Sequence, residues 1–397
     1  MRVGFIFSDR KRAWMGGVNY LRNLFLAFAT APETGIEPVL LVPPDMVEDA
    51  RGEFADTGVT VLACPYVEGR GLAKTAGVAL KRLIGHDPLF AGWLKRHGIA
   101  LLSHRTTLGR GSAVPSIAWI PDFQHLVLPE LYTEEVRTRR DRAFRRMAQQ
   151  SDAMIVSSED ARGNLAAFLP QAADKAHVLH FVADMAVEGA VSRAELEETY
   201  GFSGPFFFLP NQFWAHKNHA AAIRALGLLR AAGEPVLVLA SGNVANKFDP
   251  AHIDRVHALI EECGVADDFR LVGLVPRSHL LALMRDCVAL INPSRFEGWS
   301  STVEEARTLG KRVILSDIPV HREQAPPRAD YFAPDSPEEL ADAMRRALSE
   351  WDPVAESSHA AAARADFSRR QKEFAREYRA IVDCVLAGRG QLESREA

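Results

Sequence analysis

The chain has 397 residues, 47% of them hydrophobic and 25% charged. That length and balance fit two soluble globular domains, each large enough for its own core, and exclude a disordered chain. A formal net charge of −4 excludes a global basic field, so no nucleic-acid partner is expected.

Cys64, Cys263, Cys287 and Cys384 are far apart and form no C-x-x-C pair. Neither a zinc site nor a disulfide framework is expected, and a reducing cytoplasm fits that usage. The apolar start Val3–Phe7 is too short for a signal peptide, and Asp9 and Arg10 soon follow it. No apolar run approaches the ~18 residues of a membrane span, so any membrane contact is expected to be peripheral.

In chain order, Val3–Phe7, Val39–Val42, Val59–Ala63, Ile99–Leu102, Ser116–Ile120 and Ala153–Val156 read as strands. Amphipathic stretches such as Tyr20–Ala29 and Thr133–Gln149 lie between them. The irregular segment Ala183–Pro205, with Gly201 and Gly204, reads as a connection. The pattern then restarts with strands at Phe206–Leu209, Val236–Ala240, Arg270–Val275, Ala289–Asn292, Val313–Ser316 and Tyr331–Phe332. Helices are expected at Ala220–Ala231, Ser278–Arg285, Ser301–Leu309 and Pro337–Leu348, with Gly310 placed to end the third.

This alternation predicts an α/β chain of two Rossmann-like, doubly wound parallel-sheet domains facing a cleft. The expected boundaries are 1–185, a linker over 186–204, a second domain over 205–366, and a C-terminal helix over 367–397 packing back on the first domain.

Four constellations carry candidate chemistry. In Asn292-Pro-Ser-Arg-Phe-Glu-Gly-Trp-Ser-Ser-Thr-Val-Glu-Glu-Ala306 a strand gives way to a loop and then a helix near Ser301. Free N–H groups and a partial positive charge at a helix start suit a diphosphate, with Ser301 and Thr302 adding hydroxyls. Glu305, about one turn in, is placed to accept from a ribose diol. The plainer alternative is that Ser300 or Ser301 caps the helix and Glu304 and Glu305 favour its first turn.

In Phe208-Leu-Pro-Asn-Gln-Phe-Trp-Ala-His-Lys-Asn218, Lys217 is either a charge for a departing diphosphate or a solvated surface lysine. Met15-Gly16-Gly17 opens the first helix, either as a close approach to an anion or as an ordinary strand-to-helix turn. It is not the G-x-G-x-x-G fingerprint, which weakens an oxidoreductase reading. In Trp119-Ile-Pro-Asp122-Phe-Gln-His125, Asp122 is placed to orient an acceptor hydroxyl or His125, and His125 either acts at the site or holds a loop.

Two features have plainer explanations. The six arginines of Arg137–Arg146 read as a solvated face, with docking on anionic lipid as the alternative. The His216–His219 run has no carboxylate cluster beside it, so no metal site is predicted.

The segment Leu290–Gln324 resembles the donor-binding core of glycosyltransferase family 4, which has the two-domain GT-B fold. Pro293-Ser294, Glu297-Gly298, Glu305-Ala306 and Gly310 through Asp317 carry the resemblance. It implies a retaining, metal-independent transfer from a nucleotide-diphosphate sugar, used as co-substrate with no other cofactor. It places Glu297 and Gly298 at the sugar, Glu305 at the ribose, Leu274 and Val275 beside the base, and Gly16 and Gly17 facing the phosphates. Asn211, Gln212 and Lys217 fall on the loop that holds the diphosphate.

Where the family has an arginine, this chain has Gln212, and Arg295 or His216 is the candidate replacement. Pro121 stands before Asp122 where many relatives have a histidine, which puts His125 forward as its substitute. A glycan or lipid-linked acceptor, in bacterial surface polysaccharide or glycolipid synthesis, is what family habit implies. The segments Arg70–Arg82 and Arg105–Gly111, expected to meet the acceptor, match no interpretable pattern. A silent nucleotide-sugar-binding subunit, or a same-fold epimerase, hydrolase or phosphorylase, is the alternative reading.

Overall fold

The computed structural model describes residues 1–9, 15–68, 72–104, 108–185, 191–245 and 249–396. Arg10, residues 70–71 and 105–107 of the two acceptor segments, and residues 186–190 of the expected linker lie outside them. The chain forms two compact units: Met1–Leu126, Thr133–Val182 and Arg369–Ala397 in the first, Val127–Tyr132 and Ala183–Ser368 in the second.

The first unit is built on a seven-stranded parallel sheet. Its strands are β1 (Arg2–Ile6), β2 (Glu37–Val42), β3 (Thr60–Ala63), β4 (Ile99–Ser103), β5 (Ser116–Ile120), β6 (Ala153–Val156) and β7 (Ala176–Val178). Their order is β3-β2-β1-β4-β5-β6-β7, so the winding reverses between β1 and β4. The edge strand β7 has no periodic signal in three residues and was not expected.

The second unit holds a six-stranded parallel sheet of β8 (Phe206–Leu209), β9 (Leu237–Ser241), β10 (Phe269–Gly273), β11 (Leu290–Asn292), β12 (Val313–Ser316) and β13 (Ala329–Phe332). Its order is β10-β9-β8-β11-β12-β13, with the reversal between β8 and β11. In β8, Phe206 and Phe208 enter one core while Phe207 and Leu209 enter the other. That period of two is what a strand buried on both faces requires. The two sheets give the chain the doubly wound GT-B architecture expected of it.

Two sequence expectations change. The connection Ala183–Pro205 contains a helix, Arg193–Tyr200, whose start is capped by Ser192 and whose end is closed by Gly201 in the left-handed region. The last helix begins at Glu356 rather than near 367 and runs to Glu396. Its first turn is anchored in the second unit, where the buried Lys311 Nζ lies 2.6 Å and Arg328 Nη2 2.8 Å from the Glu356 carboxylate. Gly310 ends the Ser301–Leu309 helix at φ +69, and a Cβ there would come within 2.5 Å of the His359 carbonyl. From residue 369 onward the helix belongs to the first unit, where Phe374 and Tyr378 are buried.

Candidate functional site

All strands of the second sheet are parallel, so the loops after them emerge at one carboxyl edge. The chain segments following β8 and β11, the two strands at the reversal, meet there. Lys217 Nζ, in the turn after β8, lies 2.6 Å from Glu297 Oε1 in the loop after β11. Ser294 Oγ is also 2.6 Å from that oxygen and 2.7 Å from Asn292 Oδ1, and donates its one proton to either. Both contacts fall on Oε1, so Glu297 Oε2 has no hydrogen bond from the described residues.

Glu297 is buried. Burial by itself raises a carboxyl, but the Lys217 charge, then the charge His216 takes on at low pH, then the Lys217 and Ser294 hydrogen bonds outweigh it and hold this one at about 2. The pair is a fixed dipole at neutral pH.

The backbone around it is tightly determined. Asn211 Nδ2 donates to Asn292 Oδ1 at 3.2 Å, tying the ends of β8 and β11 together. Gln212 Oε1 accepts from the Asn243 N–H at 2.9 Å. A Cβ at Gly242 would lie 2.3 Å from the Asn211 carbonyl oxygen, so only glycine lets the loops after β8 and β9 approach this closely.

The Ser301–Leu309 helix starts beside this loop. Ser300 sits at its N-cap position, yet its side chain accepts from no first-turn amide. Ser300 therefore does not cap the helix, while Glu304 does lie in its first turn. Ser301 is exposed and Thr302 buried. Glu305 is buried, and burial raises its carboxyl despite Arg277 Nη1 at 3.6 Å. After β10, Leu274 is 71% exposed and Val275 is half-buried. An exposed leucine at the carboxyl edge offers an apolar face. Gly298 lies half-buried between Glu297 and the helix.

Neither candidate replacement for the missing arginine stands free. His216 is buried, which pushes its imidazole down to about 3 and leaves it neutral at pH 7. Arg295 Nη2 is paired with Asp335 Oδ1 at 2.5 Å, while the Arg295 N–H bonds the His216 carbonyl at 2.8 Å.

Sequence reasoning missed His321 and Gln324, on the short helix Pro319–Gln324 after β12. His321 Nδ1 donates to the Ser316 carbonyl at 2.9 Å, and the buried Nε2 has no partner among the described residues. The Gln324 amide meets Ser300: Oε1 accepts its N–H at 3.2 Å and Nε2 donates to its carbonyl at 3.0 Å. No periodicity or motif marks either residue.

In the first unit, Gly16 and Gly17 lie in the first turn of the Met15–Thr30 helix that follows β1. Asp122 follows β5, and Arg140 joins it to His125. Arg140 Nη2 lies 2.5 Å from Asp122 Oδ1, and its Nε donates to His125 Nδ1 at 3.1 Å. With Nδ1 accepting, Nε2 donates to Asp141 at 3.0 Å. Burial, and then the Arg140 charge, lowers the His125 pKa. The ring is neutral with both nitrogens engaged, so the loop-holding role left open for it is the one the geometry favours.

Where β4 ends, a second unforeseen cluster forms. His104 adopts φ +64, its Nε2 lies 2.7 Å from Tyr20 Oη, and its Nδ1 lies 2.8 Å from Ser103 Oγ. Burial lowers the imidazole to about 3, so it too is neutral.

The arginine-rich helix Glu134–Gln150 exposes Arg139, Arg142 and Arg146 around a cavity of about 630 Å³. None of the three forms an ion pair among the described residues. No group of three or more metal-ligating side chains occurs among the described residues.

Residues 198–366 match the family model for glycosyl transferases group 1. That match falls within the second unit. No curated protein sequence matches the chain. Among solved structures, it is similar to a glycosyltransferase from Rickettsia africae (14% identity, TM-score 0.65, covering 97% of this chain and 98% of that one). It is also similar to Anabaena HepE in complex with UDP-glucose (16%, 0.64, 98% and 100%). A third is sucrose-phosphate synthase from Thermosynechococcus elongatus (16%, 0.62, 100% and 98%). At these identities the likeness establishes the shared GT-B fold. No helix among the described residues is long and apolar enough to cross a membrane.

Proposed function

We propose that this chain is a retaining glycosyltransferase that moves a sugar from a nucleotide-diphosphate sugar to an acceptor hydroxyl. The observation that carries the proposal is the buried Lys217–Glu297 pair, 2.6 Å apart at the sheet reversal of a group 1 domain, beside an uncapped helix start. Ligands of such sheets bind outside the carboxyl ends of the strands at the reversal.

Under this reading Lys217 and the first-turn amides at Ser301 and Thr302 neutralise the leaving diphosphate, a task that needs no metal. Glu297 turns its unengaged Oε2 to the hydroxyls of the transferred sugar, with Gly298 beside it. Glu305 accepts from the ribose, and Leu274 and Val275 border the base. Gly16, Gly17, Asn211 and Gln212 complete the donor contacts. Asp122, held by Arg140, belongs to the acceptor side with His125 behind it. Retention follows if the departing phosphate itself assists attack from the same face, so no carboxylate pair need flank the bond.

The acceptor class we propose is a glycan or lipid-linked intermediate of bacterial surface polysaccharide, handled in the cytoplasm. Arg139, Arg142 and Arg146 would then meet the anionic inner face of the membrane. A second reading is favoured by one observation: Gln212 replaces an arginine, and neither His216 nor Arg295 offers a free charge. A silent nucleotide-sugar-binding subunit would tolerate that loss.

One experiment separates the two. Binding of UDP, GDP, ADP and TDP sugars is measured by calorimetry, followed by product analysis with the binding donor in the presence of EDTA. The HepE complexes make UDP-glucose the first donor to try. Transfer with retention supports the enzyme, binding without turnover supports the silent subunit, and no binding removes both.

A further inference from the structure

The start of the Ser301–Leu309 helix is held from behind and not by a cap. Serines at other helix starts accept from a first-turn amide, as Ser158 does from Ala161 and Ser336 from Glu339. Ser300 does not. Its hydroxyl is turned the other way, accepting from Asn292 Nδ2 at 2.9 Å.

Gln324 holds the residue in place. Its side-chain amide pairs with both backbone groups of Ser300, at 3.2 and 3.0 Å, and its Nε2 also reaches Glu304 Oε1 at 3.1 Å. The amide orientation is unambiguous, because only nitrogen can face a carbonyl and a carboxylate together. Gln324 and Ser300 are both buried, so these contacts exclude water.

A helix start clamped from behind has a fixed direction but keeps its own amides open. The same short helix supplies His321, fully buried, with Nε2 unpartnered and the charges of Glu297 and Lys217 acting on its ring. With Nδ1 donating to Ser316, this Nε2 is an acceptor, and a hydroxyl of the transferred sugar is the kind of donor that would complete it.

We propose that Gln324 is a positioning residue of the donor site: by clamping Ser300 it aims the first-turn amides of the Ser301–Leu309 helix at the donor's diphosphate. The inference rests on the donor reading above. It assigns to the segment after β12 the task of orienting, without touching, the group that leaves.

The test uses the full chain and Gln324→Met, which keeps the volume and removes every hydrogen bond of the clamp. Calorimetry compares UDP, inorganic pyrophosphate and uridine on wild type and variant, with thermal unfolding alongside. The expected result is a loss of about tenfold in affinity for UDP and pyrophosphate with uridine binding little changed. A purely structural residue would weaken all three together or only lower the unfolding temperature, and either outcome overturns the proposal.

Gln324→Glu serves as the second variant. A carboxylate there repels the Ser300 carbonyl and Glu304, whereas the protonated acid restores a donor. Its UDP affinity should therefore recover as pH falls, relative to wild type at each pH. No recovery, with the variant folded, also counts against the clamp. If wild type binds neither UDP nor pyrophosphate, the donor reading itself fails, and this proposal falls with it.

Discussion

Lys217→Met isolates the buried charge pair at the carboxyl edge of the second sheet. Glu297 is held at about 2 against an ordinary value of 4.5. That difference corresponds to about 3 kcal/mol between its charged and neutral forms. Breaking a buried pair by removing one partner typically costs 3–5 kcal/mol, because the other charge is left without compensation. The variant should therefore lose about 3 kcal/mol of unfolding free energy at pH 7, read by urea denaturation.

The pH dependence supplies the sharper check. A depressed carboxyl contributes stability that is present above its unfolded value and lost as pH falls toward its folded value. In wild type that loss runs between about pH 4.5 and 2. Without Lys217, burial pushes the carboxyl up, so it takes its proton at higher pH and the destabilisation is relieved on acidification. The gap between the two proteins should shrink from pH 7 to pH 4.5. Equal stability at pH 7, or a gap independent of pH, would refute the account of Glu297 as a lysine-compensated buried charge. Nucleotide-sugar binding measured on the same samples should fall by more than tenfold in the variant.

Gly242→Ala should destabilise the domain by about 2 kcal/mol, since the new Cβ meets the Asn211 backbone at 2.3 Å and that neighbour cannot swing away; an unchanged melting temperature would show that the loops yield. Arg277→Ala removes the cation that offsets burial at Glu305, so its carboxyl rises further. Calorimetry from pH 8 to pH 5 should then show nucleotide binding weakening at a higher pH than in wild type. Arg142→Glu combined with Arg146→Glu should abolish most co-sedimentation with phosphatidylglycerol vesicles, and wild-type binding should itself fall with salt; binding equal to that of phosphatidylcholine in wild type would remove the membrane proposal.

Much of this site was legible because it is local in sequence. A strand that ends at Asn292, a loop with Glu297 and a helix from Ser301 follow one another within a dozen residues, so the order of residue types carries the geometry. The doubly wound fold was legible for a similar reason, since β8 is a fully apolar run and β11 an apolar run closed by Asn292, both bounded by helical patterns. What escaped was long-range. Gln324 faces Ser300 across 24 positions, and His104 meets Tyr20 across 84, through the winding of the sheet and not through any spacing. His216 was a candidate cation by residue type alone, and burial removes that charge. The helix Arg193–Tyr200 did carry a signal, Ser192 three residues before Glu195 with Gly201 at the end, which the glycines and acidic residues around it obscured.

The closing helix has a consequence for how the protein is made. Tyr378 lies against Phe5 and Phe28, and Phe374 lies near Tyr20, so the core beside β1 is finished by residues from the far end of the chain. Arg389 then fastens the helix to Asp152 at 2.6 Å. During synthesis the first unit emerges first and yet must wait for the last thirty or so residues before its aromatic core can close. The second unit has no such wait beyond Ser368. A chain stopped by a premature codon before Phe374 would therefore present an open N-terminal core to the cell's proteases, even with every donor-site residue already translated.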